Sequence, residues 1–539
     1  MLNSSKFKGL HVFITSILLL AGGSFCAQPV FNLKLQPVPI PGAPALQSYA
    51  FGTWGDDWLL LGGRMDGLHK RQPFAAFDEA NQNARIYVLN PVQAKVWSAP
   101  LSSLPVPIAE QLRATNLEFA QRDSILYLIG GYGYSPTAAD HLTHPQLLAV
   151  QIPQIIQAIK QAAPNPNLAP YFQMLTDARM AVAGGRMALL GNQFYLVGGQ
   201  RFDGRYNPMN HPTFVQEYTD QVRIFDVFQS GDTLAIENYR AWTDANHLHR
   251  RDYNLVPQIY PGGQPGLSIF SGVFQVAEDI PWLYPVDIDT AGYTPRPGFK
   301  QYLNHYHCAT AALFQASTGS MHSVFFGGMA QYFLDSAGNL IQDNNVPFVN
   351  TIARITRDAD GNLDEVKLPE EMPGLTGAGA EFILHPDAPV YANGVVKMDE
   401  LVGDSVLLGY IFGGIQSPQA NIFFTNIPSN AEAVAYAVWL HRGTSNQQEV
   451  RVKNPLGMLV SPNPTTGDLL INYNLPEASD IVRIRIWSAA GQMLGEFDEG
   501  KQSAGPHFLK LEATGMPKGY LLINIVADKT QQTQKVLFE

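Results

Sequence analysis

Short apolar runs that stop on a pair of glycines punctuate most of this chain. They are Leu59-Leu60-Leu61-Gly62-Gly63, Tyr127-Leu128-Ile129-Gly130-Gly131, Phe194-Tyr195-Leu196-Val197-Gly198-Gly199, Ile269-Phe270-Ser271-Gly272, Val324-Phe325-Phe326-Gly327-Gly328 and Tyr410-Ile411-Phe412-Gly413-Gly414. Counted at the first glycine, with Ser271 in its place in the fourth copy, the spacings are 68, 68, 73, 56 and 86 residues. A short continuous apolar run bounded by turn signals predicts a buried strand. Most copies carry such a signal just upstream: Gly55-Asp56-Asp57, Asp123-Ser124, Gly191-Asn192 and Asp404-Ser405. The unit therefore runs strand, tight turn, strand, glycine pair. Periods of this order built from strands and turns predict a propeller or a solenoid. Glycine at a strand end supplies a positive φ and lets another backbone approach closely.

From the second copy to the sixth, polar residues recur upstream of the turn: Arg113, Arg179, Arg250 with Arg251, His305 with His307, and Glu381 in the sixth copy. Downstream come strands such as 85–89 and 222–226, then Trp97 and the exit Leu104-Pro105-Val106-Pro107. With these features residues 28–447 resemble the kelch-type β-propeller family. The resemblance implies an all-β fold with six blades of four strands, followed by a small C-terminal β-sandwich. It departs from the family pattern at Ser271 and in its tryptophans, which fit at Trp97 and weakly at Trp242. Residues 30–41 alternate and then run into prolines, so this segment is expected to complete the sixth blade and close the ring. Residues 153–163 predict a short helical insertion with Ile155, Ile156 and Ile159 on one face. The long connections 203–218, 247–264 and 284–306 are rich in Tyr, Asn, His and Pro and are the expected binding surface.

Residues 1–27 combine Lys6 and Lys8, an apolar core from Leu10 to Ala21, and small residues before Ala27. This layout predicts a signal peptide, the core being too short to span a bilayer. Its removal takes Cys26 away and leaves Cys308 alone, so no internal disulfide is expected. The formal charge of -11 becomes more negative without Lys6 and Lys8. No basic stretch offers a footprint for nucleic acid or an anionic membrane.

The composition turns polar from Arg442 to Gln448, and residues 448–456 are expected to link the propeller to a second domain at 457–539. That domain opens on Pro462-Asn463-Pro464 and Gly467, turns at Ala490-Gly491-Gln492, and carries Lys518-Gly519-Tyr520 before a final strand. In this order the motifs resemble the C-terminal sorting domain of type IX secretion cargo in the Bacteroidetes group. The resemblance implies handling by the type IX machinery and a secreted or outer-membrane-surface location, with no membrane span once the signal is removed.

Candidate chemistry is sparser. His305-Tyr306-His307-Cys308 and Tyr253 invite comparison with galactose-oxidase-like copper enzymes on the same fold. Cys308, however, adjoins His307 in a predicted strand, so the two side chains point to opposite faces and the cross-link of those enzymes is not expected. Asp358, Asp360 and Asn362 begin a calcium-loop pattern, but Leu363 and Pro369 stand where a complete loop needs Gly and Glu. An ordinary hairpin turn is expected there, and no cofactor is called for. Arg113, Arg179, Arg250, Arg251, His305, His307 and Glu381 are expected to converge near the channel, as a binding funnel or as polar lining. Two classes of function remain. One is a non-catalytic module that binds a glycan or surface protein through its loop face; the other is a carbohydrate-active enzyme, an isomerase, mutarotase or oxidase, working at the channel mouth.

Overall fold

The computed structural model describes residues 31–539 apart from 162–164, 209–212, 337, 426, 443–448, 453–454, 513–514, 529 and 539. The expected signal peptide and most of the polar run after Arg442 lie outside the described residues. The fold is all-β, with two short α-helices among the described residues, Val106–Gln111 and Ile152–Lys160.

Each apolar run is the second strand of an antiparallel sheet of four main strands. The first sheet is Ala50–Trp54, Asp57–Leu61, Arg85–Asn90 and Lys95–Pro100; the second is Thr115–Arg122, Ile125–Ser135, Gln146–Gln151 and Phe172–Thr176. The third is Arg186–Leu190, Gln193–Val197, Gln221–Ser230 and Thr233–Thr243; the fourth is Asn254–Ile259, Pro265–Phe270, Val286–Ile288 and Tyr293–Pro295. The fifth is Ala309–Gln315, Ser320–Phe326, Thr351–Arg357 and Leu363–Glu371. The sixth joins Leu375–Leu384, Ser405–Ser417 and Ala435–His441 to Asn32–Val38, which pairs with Ala435–His441 from Asn32 opposite His441 to Val38 opposite Ala435. The first described strand thus completes the last sheet of the body.

Both faces of every second strand are buried, which is why these runs are continuously apolar rather than alternating. Leu59 and Leu61 pack towards the second sheet, while Leu60 packs towards the sixth. Phe194 and Leu196 face the second sheet, whereas Tyr195 and Val197 face the fourth. Separate apolar clusters also join the fourth sheet to the fifth and the fifth to the sixth. The helix Ile152–Lys160 adds Ile152, Ile155, Ile156 and Ile159 to the cluster between the first and second sheets. Its Lys160 ammonium closes on Asp57 at 2.6 Å.

The glycine pairs link each sheet to the next. The N–H of Gly63 donates to Ala114 O (2.9 Å), Gly131 to Val182 O (2.9 Å), Gly199 to Arg250 O (2.8 Å), Gly272 to His305 O (3.2 Å), Gly328 to Thr376 O (3.1 Å) and Gly414 to Leu46 O (2.9 Å). Every acceptor lies at the entrance to the following sheet, and the last bond returns to the first. A second set of bonds joins the residues that open the first strands. Asn116 N donates to Ser48 O, Ser48 N to Gly379 O, Gly379 N to His307 O, His307 N to Asp252 O and Asp252 N to Gly184 O, at 2.6–3.1 Å. Gly185 N completes that circuit by donating to Oε1 of Glu118 at 2.8 Å.

The first residue of each pair has a left-handed backbone, and Ser271 adopts it too, at φ 56°. Ser271 is held there by its hydroxyl, which donates to Trp282 O at 2.8 Å. A Cβ at Gly198 would stand 2.6 Å from Arg250 O, against backbone that cannot yield cheaply.

Residues 459–539 fold around a core of their own, centred on Ile471, Ile484, Ile486, Ile523 and Ile525. Leu459–Ser461, Leu469–Leu475 and Gly505–Leu511 form one sheet. Thr530–Phe538, Gly519–Ala527, Ser479–Ser488 and Met493–Gln502 form the other in that spatial order. Where a free linker is expected, Val450–Arg451 pairs with the outer strand of the fifth sheet, Lys367 opposite Val450.

Replacement of Gly198 by Ala is expected to cost about 2–4 kcal/mol, from left-handed strain plus the clash with Arg250 O. Ser271→Gly trades a relieved backbone against a lost hydroxyl bond and is expected to stay within about 1 kcal/mol of the parent. Urea titrations of the two variants check this asymmetry.

Candidate functional site

The first strands of the six sheets start at the same end of the body as the long connections that follow the second strands. Three of these first strands, with the turns that open the others, enclose a polar cavity on the axis. It is lined by Ser48, Tyr49, Asn116, Glu118, Arg186, Asp252, Tyr253, His307 and Glu381 among others. Arg186, on the third sheet, reaches Glu381 on the sixth and bonds it through both guanidinium arms, Nη1 to Oε1 at 3.0 Å and Nη2 to Oε2 at 3.1 Å. The same Nη2 donates to Nε2 of His307 at 2.7 Å, so His307 serves as a neutral acceptor. Burial, reinforced by the Arg186 charge, lowers the His307 pKa in keeping with that role.

Two of the three carboxyls that line the cavity, Glu118 and Glu381, are driven apart. Burial pushes Glu118 up to about 8, only partly opposed by Arg186 and the Gly185 N–H. Burial also acts to raise Glu381, but the Arg186 charge overrides it and holds the group at about 2. At neutral pH the cavity therefore contains a protonated Glu118 beside an ionised Glu381 paired with Arg186. The space left for water centres is about 10 Å³, room for about one water molecule. A sugar ring does not fit in that space.

Of the residues expected to converge, His307 and Glu381 line this cavity and Arg251 stands at its mouth beside Asp252. The others are elsewhere. Arg113 lies beside Asp78, Glu79 and Gln82 in a surface depression. Arg179 is an outer-surface side chain paired with Asp177 at 2.5 Å. Arg250 is fully buried and donates to the carbonyls of His247, Ser271 and Tyr284. His305 is buried, with Nε2 against Gln301 O at 3.0 Å and Nδ1 accepting from Gln331 N at 3.0 Å. The physical reason is register. Three of the side chains that reach the axis come two residues after a left-handed residue: Glu118 after Asn116, Arg186 after Gly184, Glu381 after Gly379. Arg113, Arg179 and Arg250 precede that turn; Arg250 belongs to a joint between sheets, and Arg113 and Arg179 to the surface. Glu118 and Arg186 escaped the sequence reading, although they stand 68 residues apart, the interval of the first glycine pairs. Because carboxylates match the cations, the axis is a charge-paired plug rather than a cationic funnel.

The copper comparison does not survive the geometry. Tyr253 is buried with its hydroxyl on Val197 O at 2.5 Å, and Cys308 packs between the fourth and fifth sheets, its thiol pushed up to about 12 by burial. Asp358, Asp360 and Asn362 form a hairpin turn in which the Asp358 carboxylate accepts from Asp360 N, Asn362 N and Asn362 Nδ2. Those oxygens are already engaged. Among the described residues no group of three or more His, Cys, Asp or Glu is placed to hold a metal ion.

Above the plug, four connections build an aromatic surface. His69 stacks on Phe77 at 4.8 Å and meets Tyr206 and Phe423 edge-on at 4.7 and 5.7 Å. Phe77 meets Tyr132 at 5.1 Å. The Arg71 guanidinium lies over Phe423 and Phe424 at 5.3 and 4.6 Å. Its Nε is buried and has no hydrogen-bond partner among the described residues. Phe74 and Phe424 are 79% and 58% exposed. Nearby, Arg251 donates to Tyr218 OH at 3.0 Å and lies over Phe274 at 5.0 Å.

In the tail, Asn463 is buried and bonds the backbone of Lys535, Leu537 and Gln342. Pro462 and Pro464 flank it. Gly467 N donates to Thr465 Oγ1 at 3.1 Å, Gly491 and Gly519 have positive φ, and Lys535 caps the Tyr520 ring at 3.7 Å.

Two outcomes follow for the plug. Glu118 binds a proton in the native state up to about pH 8 that the unfolded chain releases near 4.5, so its contribution falls as pH rises between those values. Glu118→Gln keeps the acceptor for Gly185 N and is expected to lose that part of the decline, seen as a higher Tm than the parent at pH 8 and a matching one at pH 4. Glu381→Ala leaves Arg186 without its partner and is expected to cost about 2–3 kcal/mol, the low end for a buried pair because Arg186 keeps some solvent contact. Chemical denaturation at pH 7 measures it.

Residues 459–539 match the family described as the secretion system C-terminal sorting domain. No curated protein matches the chain. Among solved structures, that of YjhT is 11% identical and covers 75% of this chain and 99% of its own, with a TM-score of 0.41. That of PorZ, an essential bacterial surface component of the type-IX secretion system of Porphyromonas gingivalis, is 10% identical and covers 91% of this chain and 75% of its own, with a TM-score of 0.16. Likenesses this low carry no argument here. No helix among the described residues is long and apolar enough to cross a membrane. The match over 459–539 marks this chain for export by the type IX system to the cell surface or beyond.

Proposed function

We propose that the six sheets are the blades of a kelch-type propeller, and that this type IX cargo is a binding module which takes a glycan at its loop face. The circuit of inter-sheet bonds and the paired faces of consecutive sheets support the propeller. The observation that carries the binding site is the contrast between axis and mouth. The axis is filled by the Arg186–Glu381 pair and admits about one water. The mouth offers exposed Phe74 and Phe424 and the half-buried Arg71, whose Nε lacks a hydrogen-bond partner among the described residues. Aromatic faces give a sugar a flat apolar platform, and a guanidinium held on such faces is fixed for planar hydrogen bonding. The carbohydrate-active alternative assigns chemistry to Glu118 and Glu381, whose pKa values are split as an acid and base pair requires. The small volume of the cavity speaks against it, as does the diversion of Glu381 into the bond with Arg186.

Glycan-array binding by the full chain, compared with Arg71→Ala, Phe424→Ala and Glu118→Gln, tests the reading. Loss of binding by at least about tenfold in the first two, with Glu118→Gln unchanged, is the expected pattern; each truncation removes more than about 1.4 kcal/mol of contact. Binding that survives both mouth variants and fails in Glu118→Gln would move the site to the axis. A surface protein captured in place of any glycan would replace the proposed target.

A further inference from the structure

The C-terminal strand Thr530–Phe538 has a neighbour that does not belong to its own domain. On one side it pairs with Gly519–Ala527; on the other lies Leu340–Gln342 of the body, parallel to it, with Ile341 opposite Lys535. Tyr332–Leu334 backs that strand as a hairpin. This hairpin comes from the connection after the second strand of the fifth sheet, so the body adds two strands to the sorting domain's sheet. Left bare, the edge of Thr530–Phe538 would expose unpaired N–H and C=O groups. Strand addition is a recognised way for one protein to hold another.

A chain of buried amides lies at this junction. Gln534 Nε2 donates to Gln342 Oε1 at 2.6 Å, and Gln342 Nε2 donates to Asn344 Oδ1 at 2.9 Å. Asn463 Nδ2 donates to Gln342 O at 2.7 Å, and Asn344 N returns to Asn463 O at 2.9 Å. Gln342, Gln534 and Asn463 are buried, so each amide depends on the others for its partners. A second attachment lies nearby: Arg354 holds Glu449 through both arms at 2.6 and 2.8 Å. Glu449 and the paired Val450 follow the junction, and therefore stay with the tail if the chain is cut before them.

We propose that the sorting domain is a bound ligand of the body, retained by strand addition to the hairpin 332–342 and by the amide chain, so that cutting the covalent connection does not release it. In the docked state the outer edge of the C-terminal strand is occupied at Lys535 by the hairpin and at Leu537 and Phe538 by the tail's own Thr465. The edge open to another protein is Met493–Gln502, and engagement of the C-terminal strand requires undocking first.

The test replaces residues 443–448 of the full chain with a specific protease site, cuts it, and follows the two pieces by gel filtration at micromolar concentration. The tail is expected to co-elute with the body. Gln342→Glu, which removes the donor to Asn344 and puts a carboxylate into the buried amide chain, is expected to weaken retention at least tenfold. Gln342 lies outside the cores of both pieces, so both remain folded in the variant. Hydrogen exchange on the uncut chain gives an independent readout: faster exchange at Leu340–Gln342 and along 530–538 in Gln342→Glu, with Ile484 and Ile486 still protected. Clean separation of the cut parent, or retention and exchange unaltered by Gln342→Glu, would overturn the proposal.

Discussion

Six backbone N–H groups, one at the end of each apolar run, hold the body of this protein together. Each donates to a carbonyl at the entrance to the next sheet, and the sixth returns to the first. A sheet that buries both faces needs a neighbour on each side at a fixed distance, and this bond sets that distance where the strands crowd. The residue before each donor has a left-handed backbone, and at Gly198 a Cβ would collide with the acceptor for this bond. That is why glycine fills nearly every such position. Ser271 shows what an exception requires: a second, buried hydrogen bond from its hydroxyl to Trp282 O.

From this constraint the axis follows. Once the sheets are joined at their entrances, the side chains two residues further on are brought together whether or not their chemistry suits burial. Opposite charges at Arg186 and Glu381 make the crowding tolerable, with His307 neutral between them and Glu118 protonated. The pair spans from the third sheet to the sixth, so it ties together two sheets far apart in the sequence. In the longer connections, the Arg71 guanidinium and the Phe423 and Phe424 rings are not consumed by the joints between sheets.

The tail obeys the same logic of satisfied edges. Its sheets close over their own core, yet one edge also takes a strand from the body, through a hairpin that sits in a connection of the fifth sheet. Export signal and cargo therefore share one continuous sheet. Asn463, in the segment most characteristic of the sorting domain, bonds the tail's own backbone and the body's at once.

The sequence by itself determined the strands and their repeat, because burial on both faces and a left-handed turn each leave a local mark: an unbroken apolar run and a glycine pair. It also determined the export address, which rests on turn residues in a fixed order between 462 and 520. The axis was legible only in part. His307 and Glu381 were recognised, while Arg113, Arg179, Arg250 and His305 proved to serve the joints between sheets or the outer surface, and Arg186 and Glu118 were missed. Which polar side chain reaches the centre depends on register past a left-handed turn, and a shift of a few residues exchanges an inter-sheet joint for the axis. The pairing of Arg186 with Glu381, 195 residues apart, and of Gln342 with Gln534, 192 apart, leaves no local trace in the chain. Only closure of the sheets on one another, and of the tail on the body, brought those groups within reach.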